Sequence, residues 1–547
     1  MYTQENGFYI AHGPNGPISI LGNMANRHGL IAGATGTGKT VTLQVIAESF
    51  CKAGVPCFMA DMKGDLSGVS QPGQMSRFIE KRLPEFGMKH EDLTFEGCPV
   101  RFYDVFGEQG IPMRSTIGEM GPDLMGRILG LNDTQTGVLN ILYRILDEKG
   151  ILLDDVKDLR SALDWLSKHA KEYTTQYGNV APASIGAIQR ALLHLDNQGA
   201  DKFFGIPSFD IQDLMDTRDG KGVLSVLAAD KLMLQPKLYS TFLLWLLSEL
   251  YATLPEVGEM ELPKLVFFFD EAHMLFEGTS KALTDKIEQV IRLIRSKGVG
   301  IWFITQSPTD IPANILGQLG NRVQHALRAY SPQDQKAVKV AADTFRANPA
   351  FKTYDTLLEL GTGEALVSFL DVKGTPAMVE RAKILFPLSQ IGAVTPEQRT
   401  DLVKRSRLYG RYDHPVDRES AYELITAATQ EAERQKAELE AAAEAERQAA
   451  LEAKEAARAA KEQEKLEKEK AKKAGSGIGA KVLKSVLTAV LGVAAGAAAD
   501  AVSSKVTGKK STSKTSTGSK MVKRATKSAT TTVTKELTRS ILGNLLK

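Results

Sequence analysis

The sequence predicts an α/β fold with a parallel sheet in about its first 400 residues, followed by an extended tail. Three observations support this prediction. A glycine-rich loop at residues 33–40 joins an apolar run to a helical pattern, and two more apolar runs end in polar residues at 270 and 306. From about residue 420, apolar residues become scarce and Ala, Glu, Lys, Arg and Gln dominate. Strand ends of this kind deliver polar side chains to the carboxyl edge of a parallel sheet.

The glycine-rich loop is a complete phosphate-binding motif, Gly33-Ala34-Thr35-Gly36-Thr37-Gly38-Lys39-Thr40. Its glycines let successive backbone N–H groups point at phosphate oxygens, and the helix that follows adds its positive end. Lys39 can reach the β- and γ-phosphates, and the Thr40 hydroxyl can bind Mg²⁺. A simple glycine-rich turn would not need Lys-Thr in register after a buried strand. The motif therefore predicts binding of a nucleoside triphosphate.

The second apolar run, residues 264–269, ends in Asp270 and Glu271. At the end of a buried parallel strand, Asp270 is placed to hold Mg²⁺, usually through water. Glu271 is placed to polarise the attacking water as a general base. The alternative is a strand that merely ends in solvated acids, and the phosphate loop in the same chain favours the catalytic interpretation.

The third run, residues 299–305, is followed by Gln306 and Pro308. Gln306 could sense the γ-phosphate or orient the water, although a polar residue in a turn before proline is the simpler alternative. Upstream, residues 285–297 show helical spacing of apolar side chains, with Arg292 and Arg295 in the last turns. Arginines at this position can also do no more than complement the helix dipole.

Taken together, these motifs and the sequence Asp61-Met62-Lys63-Gly64-Asp65-Leu66 resemble the HerA/FtsK superfamily of P-loop motor ATPases. The resemblance is strongest to the bacterial HerA-like proteins, covers roughly residues 5 to 400 and extends to residues 539–546. It implies a RecA-like P-loop NTPase core of the additional-strand, catalytic-glutamate type, with ATP and Mg²⁺ as cofactors. In this superfamily an arginine eleven residues before the strand-end glutamine acts on the neighbouring subunit's γ-phosphate. The resemblance gives that role to Arg295, with Arg322 and Arg328 as weaker candidates.

The chain departs from the superfamily in two places. HerA carries a small β-barrel before its core, whereas only about 28 residues precede the phosphate-loop strand here, so we expect no such barrel or partner docked through it. About 155 residues separate Asp104 from Leu262, more than a simple crossover needs. Helical patterns at 124–146, 158–168, 185–195 and 239–250 predict an inserted helical module over about 105–260. It could be a lid, a subunit contact or a site for an unidentified protein partner.

An Asp-Glu-Ala-His box such as residues 270–273 also occurs in two-lobed helicases, whose second lobe supplies an arginine. After residue 390 this chain shows no second α/β lobe. A single core must therefore borrow its arginine from another copy, and rings close such repeated head-to-tail contacts. We expect a homo-oligomer, with a hexamer as the expected form.

The tail divides into segments of different character. Residues 401–474 include a run of strong helix formers from Glu419, with acids and bases at i,i+4 spacing. Its few large apolar residues do not sustain a heptad seam, so a solvated single helix is favoured over a coiled coil. Residues 475–547 form a basic, low-complexity tail that ends in a short helical pattern at 534–546.

Within this tail, residues 486–499 are apolar and contain a Gly492-to-Gly496 motif typical of membrane-helix dimers. About 14 apolar residues fall short of the ~20 needed to span a bilayer, so a buried or interfacial helix is favoured over membrane insertion. Residues 501–535 are rich in Ser, Thr and Lys and predict a disordered cationic arm. The arm could bind nucleic acid or an anionic membrane, or it could be a solubilising linker.

Bulk properties set few further limits. The net charge of +3 averages segments of opposite character, and the three cysteines show no metal-ligand spacing. Together with an N-terminus unlike a secretion signal, they predict a cytoplasmic protein. We predict an ATP hydrolase, and the resemblance implies movement along double-stranded DNA. Alternatives are an ATPase that drives a protein or membrane partner and a nucleotide-gated scaffold without sustained turnover.

Overall fold

A computed structural model describes residues 2–3, 7–277 and 281–473. The chain divides into two compact units, Met1–Glu423 and Leu424–Lys547. The predicted apolar stretch 486–499, the basic arm 501–535 and the terminal helix 534–546 all lie outside the described residues. In the part of the chain that is described, no helix is long and apolar enough to cross a membrane.

The described residues form strands with the following bounds: β1 Tyr2–Thr3, β2 Gly7–Gly13, β3 Gly16–Ile20, β4 Gly29–Ala32, β5 Cys57–Asp61, β6 Val100–Asp104, β7 Ile111–Pro112, β8 Thr217–Arg218, β9 Lys221–Gly222, β10 Leu224–Ala228, β11 Leu265–Phe269, β12 Val299–Thr305, β13 Asn321–Gln324, β14 Glu364–Ser368 and β15 Glu380–Ile384.

The α-helices have these bounds: α1 Lys39–Lys52, α2 Arg77–Arg82, α3 Ile117–Leu129, α4 Asp133–Glu148, α5 Val156–Tyr177, α6 Pro182–Asp196, α7 Ala200–Phe203, α8 Pro236–Thr253, α9 Lys281–Ile294, α10 Ala313–Leu316, α11 Pro332–Asp343, α12 Thr353–Glu359, α13 Pro396–Lys404 and α14 Ala421–Lys473.

One 13-stranded sheet organises the first unit. Its order is β1-β2-β15-β14-β13-β4-β12-β11-β5-β10-β6-β7, and β3 pairs with β2. The strands from β13 to β7 run parallel, whereas β14, β15 and the N-terminal strands add antiparallel pairs at one side. β12 lies between the phosphate-loop strand β4 and the acidic strand β11. A strand inserted between these two defines the additional-strand class, so the predicted RecA-like α/β core is confirmed.

The central strands are largely apolar because both faces of the sheet are covered. All five residues of β11 are buried. On one face, Phe268 packs near Phe50 of α1, with ring centroids 6.5 Å apart. On the other face, Phe267 stacks on Phe58 of β5, with centroids 4.4 Å apart. A rigid sheet therefore fixes the loops at its carboxyl edge.

The segment 105–260 is mostly helical but also contributes to the sheet. The pattern predicted at 124–146 is two helices, α3 and α4, because Gly130 at φ 66° ends the first and Asn132 caps the second. The other three patterns lie mainly within α5, α6 and α8. β10 was not predicted: its five buried residues pair with β5 and β6 in the main sheet. α8 then leads to β11, so part of this segment is a core crossover.

The charged segment at the start of the tail forms one long helix, α14, Ala421–Lys473. Its leucines at 439, 451 and 466 are exposed. Ion pairs at i,i+4 spacing, such as Arg434 with Glu438, lie on its surface. The described part of this helix therefore presents a charged surface.

Candidate active site

The phosphate loop follows β4 and leads directly into α1, which begins at Lys39. Gly33, Gly36 and Gly38 have φ values of 154°, 78° and 115°. These left-handed conformations are open to glycine and strained for other residues. At Gly33 space is also closed, because an added Cβ would lie 2.5 Å from the Cβ of His325. The glycines of the motif are thus required by the backbone path and by a close neighbour.

Lys39 lies within the curl of the loop. Its Nζ donates hydrogen bonds to the carbonyl oxygens of Gly33 and Ala34 at 2.7 and 3.2 Å. Partial burial lowers the pKa of Lys39, and the nearby carboxylates of Glu271 and Asp270 oppose this shift. The amine, the two acids and the loop therefore share one electrostatic environment, with the amine held where phosphate oxygens would replace the carbonyls.

Asp270 and Glu271 follow the last residue of β11. Burial, together with the carboxylate of Glu271, raises the pKa of Asp270 to about 7. Its Oδ1 accepts a hydrogen bond of 2.9 Å from the backbone N–H of Glu271. Oε2 of Glu271 is buried and accepts no hydrogen bond, and its nearest basic atom is Nδ1 of His273 at 3.4 Å. A buried carboxylate oxygen without a hydrogen bond is costly, and such oxygens cluster at functional sites.

The donor set at this point fits Mg²⁺. Asp270 provides a carboxylate and Thr40 a hydroxyl, and a nucleotide on the loop would add phosphate oxygens, which are the hard oxygen ligands that Mg²⁺ prefers. Burial is the main cause of the raised pKa of Asp270 and the carboxylate of Glu271 adds to it, so a bound cation would favour the charged form of this acid. No cluster of three or more metal-binding side chains occurs among the described residues, and Mg²⁺ bound through phosphates does not require one.

Gln306 reaches the same edge of the sheet. Thr305 pairs in register with Ala32, and the N–H of Gly33 donates to the Thr305 carbonyl at 3.3 Å. Gln306, Ala34 and Thr35 line a cavity of about 800 Å³. The turn after Gln306 is fixed by Asp310, whose Oδ2 accepts from the Thr305 hydroxyl at 2.6 Å. The structure thus brings Gln306 together with the loop, Asp270 and Glu271.

Arg295 lies at the opposite end of the sheet. It follows α9 and precedes the first residue of β12, whereas Gln306 follows the last. Seven strand residues at roughly 3.3 Å each put roughly 20 Å between them. Arg295 instead lines a groove with Arg27 and Arg292. It is therefore not part of the phosphate site of its own chain.

The two weaker arginine candidates lie elsewhere. The guanidinium of Arg322 donates to three backbone carbonyls, those of Leu319, Thr344 and Leu316, at 2.9, 2.6 and 2.8 Å. These bonds use it in local structure. Arg328 is exposed and lines the 800 Å³ cavity beside its own phosphate loop. Of the three, Arg295 is therefore neither beside its own phosphate loop, as Arg328 is, nor bonded to local carbonyls, as Arg322 is.

Two buried residues near the loop were not assigned roles from the sequence. His325 contacts the Thr42 hydroxyl through Nε2 at 2.8 Å and the Glu364 carbonyl through Nδ1 at 3.0 Å. Burial and the charge of Lys39 lower its pKa to about 4, so a neutral imidazole supports the loop from below. Its sequence position after β13 gave no signal of this contact.

The second such residue is Asp61, at the end of β5 in the quoted acidic motif. Neither oxygen of its carboxylate is hydrogen-bonded. Burial raises its pKa to about 6, while the nearby backbone amides of Leu66 and Gly64 and the guanidinium of Arg399 oppose the shift. From its position in the β5–β11 register, it lies level with Asp270.

Comparison with known proteins identifies the family of the chain. Residues 8–497 match the family described as helicase HerA-like C-terminal. The chain belongs to this family. It is 20% identical over 364 residues to the DNA double-strand break repair helicase HerA of Sulfolobus acidocaldarius, covering 65% of each chain. It is 21% identical over 387 residues to the protein of the same name from Saccharolobus solfataricus, covering 70% of this chain and 69% of that one.

Among solved structures, the HerA-like chain is similar to the plasmid coupling protein TrwB in complex with ADP and Mg²⁺. The two are 15% identical with a TM-score of 0.47, over 68% of this chain and 88% of TrwB. The chain spans about 65% of the length of its Sulfolobus acidocaldarius relative. The family match and the phosphate loop agree, because the loop lies within the matched residues 8–497.

Proposed function

We propose that this HerA-like protein is a Mg²⁺-dependent ATP hydrolase that works as a ring and moves along double-stranded DNA. The observation that carries the proposal is the placement of Arg295 and the phosphate loop at opposite ends of β4 and β12. A subunit with this arrangement offers its arginine to one neighbour and its phosphate loop to another. Such a head-to-tail contact closes into a ring, for which we expect six copies.

The chemistry assigned to each residue follows from its position. Lys39 and the loop N–H groups hold the phosphates, and Glu271 takes a proton from the attacking water. Asp270 and Thr40 would hold Mg²⁺, which supplies positive charge to the β- and γ-phosphates when bound. Gln306 orients the water or senses the γ-phosphate, and Arg295 of a neighbouring copy stabilises charge in the transition state.

DNA is the proposed track because the relatives that carry this core are named as DNA repair helicases. The described residues contain no element that we assign to reading bases, so we expect contact with the DNA backbone that is independent of sequence. The second candidate is an ATPase that drives a protein or membrane partner. The helices α3–α7, which lie outside the sheet, favour it. A nucleotide-gated scaffold is the third.

The test is the rate of ATP hydrolysis with and without linear duplex DNA, together with displacement of a third strand from a triplex on that DNA. We expect duplex DNA to raise the rate and the triplex strand to be displaced only when ATP is hydrolysed. The Lys39→Ala variant is the control: duplex DNA should not raise its rate of ATP hydrolysis, and it should not displace the triplex strand. Robust hydrolysis that ignores DNA and leaves the triplex intact would reject the DNA motor and leave the partner-driven ATPase.

A further inference from the structure

The phosphate loop has a cavity at each of its two ends, and only one of them belongs to the reaction described above. The first cavity lies at Ala34 and Thr35 and contains Gln306. The second is a groove of about 460 Å³ that begins at Gly38 and Val41. The reacting γ-phosphate belongs at the Gln306 end, so the rest of the nucleotide must extend towards the Gly38 end.

We propose that this second groove, the base groove, binds the ribose and base of the nucleotide, with the ring of Phe78 as its stacking surface. The inference rests on the proposed role of the phosphate loop as an ATP site. The groove is lined by residues 72–79 on one side and 386–391 on the other. Its volume lies within the roughly 300–1,000 Å³ of small-molecule pockets.

The lining of the base groove is mostly apolar and is exposed to solvent, so that the flat ring of a base can lie against it. Phe78 is 52% exposed and Ile391 is 61% exposed, although both are large apolar residues beside a polar loop. The guanidinium of Arg82 lies 4.5 Å from the centre of the Phe78 ring. A cation over one face fixes the ring orientation, and the exposed remainder of the side chain is free to contact a base.

Backbone hydrogen bonds fix the two walls of the base groove relative to each other. Gly73 donates to the carbonyl of Leu388, and Gln390 donates to that of Gln71, both at 2.9 Å. These backbone hydrogen bonds join the two walls. Preformed pockets avoid the ordering cost that a mobile loop would add to binding.

Arg82 also connects the base groove to the phosphate loop. Its guanidinium donates to the carbonyls of Gly363 at 3.2 Å and Ile384 at 3.0 Å. The N–H of Gly363 donates in turn to the carbonyl of Thr37 in the loop at 3.1 Å. Arg82 is therefore a positioning residue that sets the distance between the stacking ring and the phosphates.

Two polar side chains of the base groove already make hydrogen bonds within the protein. The Ser389 hydroxyl is already bonded to Glu48 and Gln44, at 3.1 and 2.8 Å. The amide nitrogen of Gln390 donates to the Ala393 carbonyl at 3.1 Å. Stacking tolerates any base because every base has a flat face. We therefore expect adenine and guanine nucleotides to bind with affinities within about tenfold of each other.

The test measures binding of three probes to the full chain by calorimetry with Mg²⁺: the non-hydrolysable analogues of ATP and GTP, and inorganic tripolyphosphate. Phe78→Ala should weaken both nucleotide analogues by about tenfold or more, as loss of one stacked base typically does. It should leave tripolyphosphate unchanged. Phe78→Tyr should bind as wild type, and Leu193→Ala, which removes an equally exposed side chain from α6, is the matched control.

Three outcomes would overturn the proposal. They are unchanged nucleotide affinity in Phe78→Ala, an equal loss for tripolyphosphate, and a preference between the ATP and GTP analogues greater than about 100-fold. Lys39→Ala separates this inference from the function on which it rests. If Lys39→Ala binds all three probes as wild type does, the phosphate site itself is misassigned; if it loses them while Phe78→Ala does not, only the base groove fails.

Discussion

Glu271 holds a backbone conformation that is rare for a residue with a side chain, with φ 47° and ψ 51°. Left-handed positions cost an ordinary L-residue on the order of 1–2 kcal/mol. Here the hydrogen bond from its N–H to Asp270 offsets part of that cost. Such conformations persist where the surroundings fix them and are common at active sites. This fixed conformation fits the roles proposed for the two acids, Asp270 at the metal and Glu271 at the water.

At this scale the roles of Lys39 and Glu271 can be separated. Lys39→Ala should lose nucleotide affinity, because the charge on the phosphates is removed. Glu271→Gln should keep ATP bound but hydrolyse it about 10²- to 10⁴-fold more slowly, because the water loses its base. Binding and single-turnover rates measure the two effects. Near-normal hydrolysis by Glu271→Gln would remove this residue from the mechanism.

Asp270 gives a pH-dependent prediction for the nucleotide-free protein. Its pKa is raised to about 7 in the fold, against about 4 in an unfolded chain. The neutral form is therefore favoured by folding: the stability it provides is fully present below about pH 4 and is lost as the pH rises to about 7. Asp270→Asn should flatten this decline and raise the melting temperature at pH 8 by on the order of 2–5 °C.

The measurement is thermal unfolding at pH 5 and pH 8, without nucleotide or Mg²⁺. Asp310→Asn is a control acid at the same edge of the sheet. A variant whose melting temperature falls equally at both pH values would show that Asp270 is ordinary structure rather than a strained site.

Among the elements, β12 does most to organise the site. Its carboxyl end brings Gln306 beside the phosphate loop, and its amino end follows Arg295. The left-handed Gly298, at φ 78°, makes the turn between the arginine and the strand. In the proposed ring, this one buried strand would connect the site of its own subunit to the surface offered to the next. A mechanical link of this kind is what a motor requires.

The C-terminal tail permits a prediction at the same scale. Deleting residues 501–547 should leave intrinsic ATP hydrolysis largely intact, because every residue assigned to the nucleotide site lies before residue 400. If the basic arm binds DNA, its deletion should weaken DNA binding and flatten the dependence of affinity on salt concentration, since fewer counterions are released.

Binding titrations with duplex DNA at salt concentrations from about 50 to about 200 mM measure this dependence. The slope of log affinity against log salt concentration should become shallower by roughly 0.9 for each phosphate that the arm neutralises. An unchanged slope would mean that the arm does not bind phosphates.

For the whole molecule, the separation of Arg295 from its own phosphate loop leads us to expect that activity depends on assembly. An arginine supplied by a neighbour is worth about 10³–10⁵ in rate. Arg295→Ala should therefore bind ATP normally and hydrolyse it about 10³-fold more slowly. Arg322→Lys serves as the comparison, since Arg322 is bonded to local carbonyls.

Mixing variants provides the decisive readout. Arg295→Ala combined with Lys39→Ala should regain some activity, because mixed interfaces pair an intact loop with an intact arginine. The wild-type rate per subunit should also rise with protein concentration until assembly is complete. A fully active monomer by light scattering would contradict the shared site.

The local parts of this protein could be predicted from the sequence by itself. The phosphate loop, Asp270-Glu271 and Gln306 are short contiguous motifs after apolar strands, and parallel strands bring such ends to one edge. The additional-strand class followed from the same motifs and the family resemblance. Each of these features depends on the local backbone path and on side chains that are neighbours in the sequence, and this is why the sequence predicts them.

The tertiary structure decided what depends on distant segments. It inserted β10 between β5 and β6, although its sequence lies within a helical region. It also distinguished Arg295 from Arg322 and Arg328, because the direction of β12 and three carbonyl bonds cannot be read from spacing. The base groove joins residues about 300 positions apart. The packing of such distant segments against each other depends on the whole core, so a short stretch of sequence does not predict it.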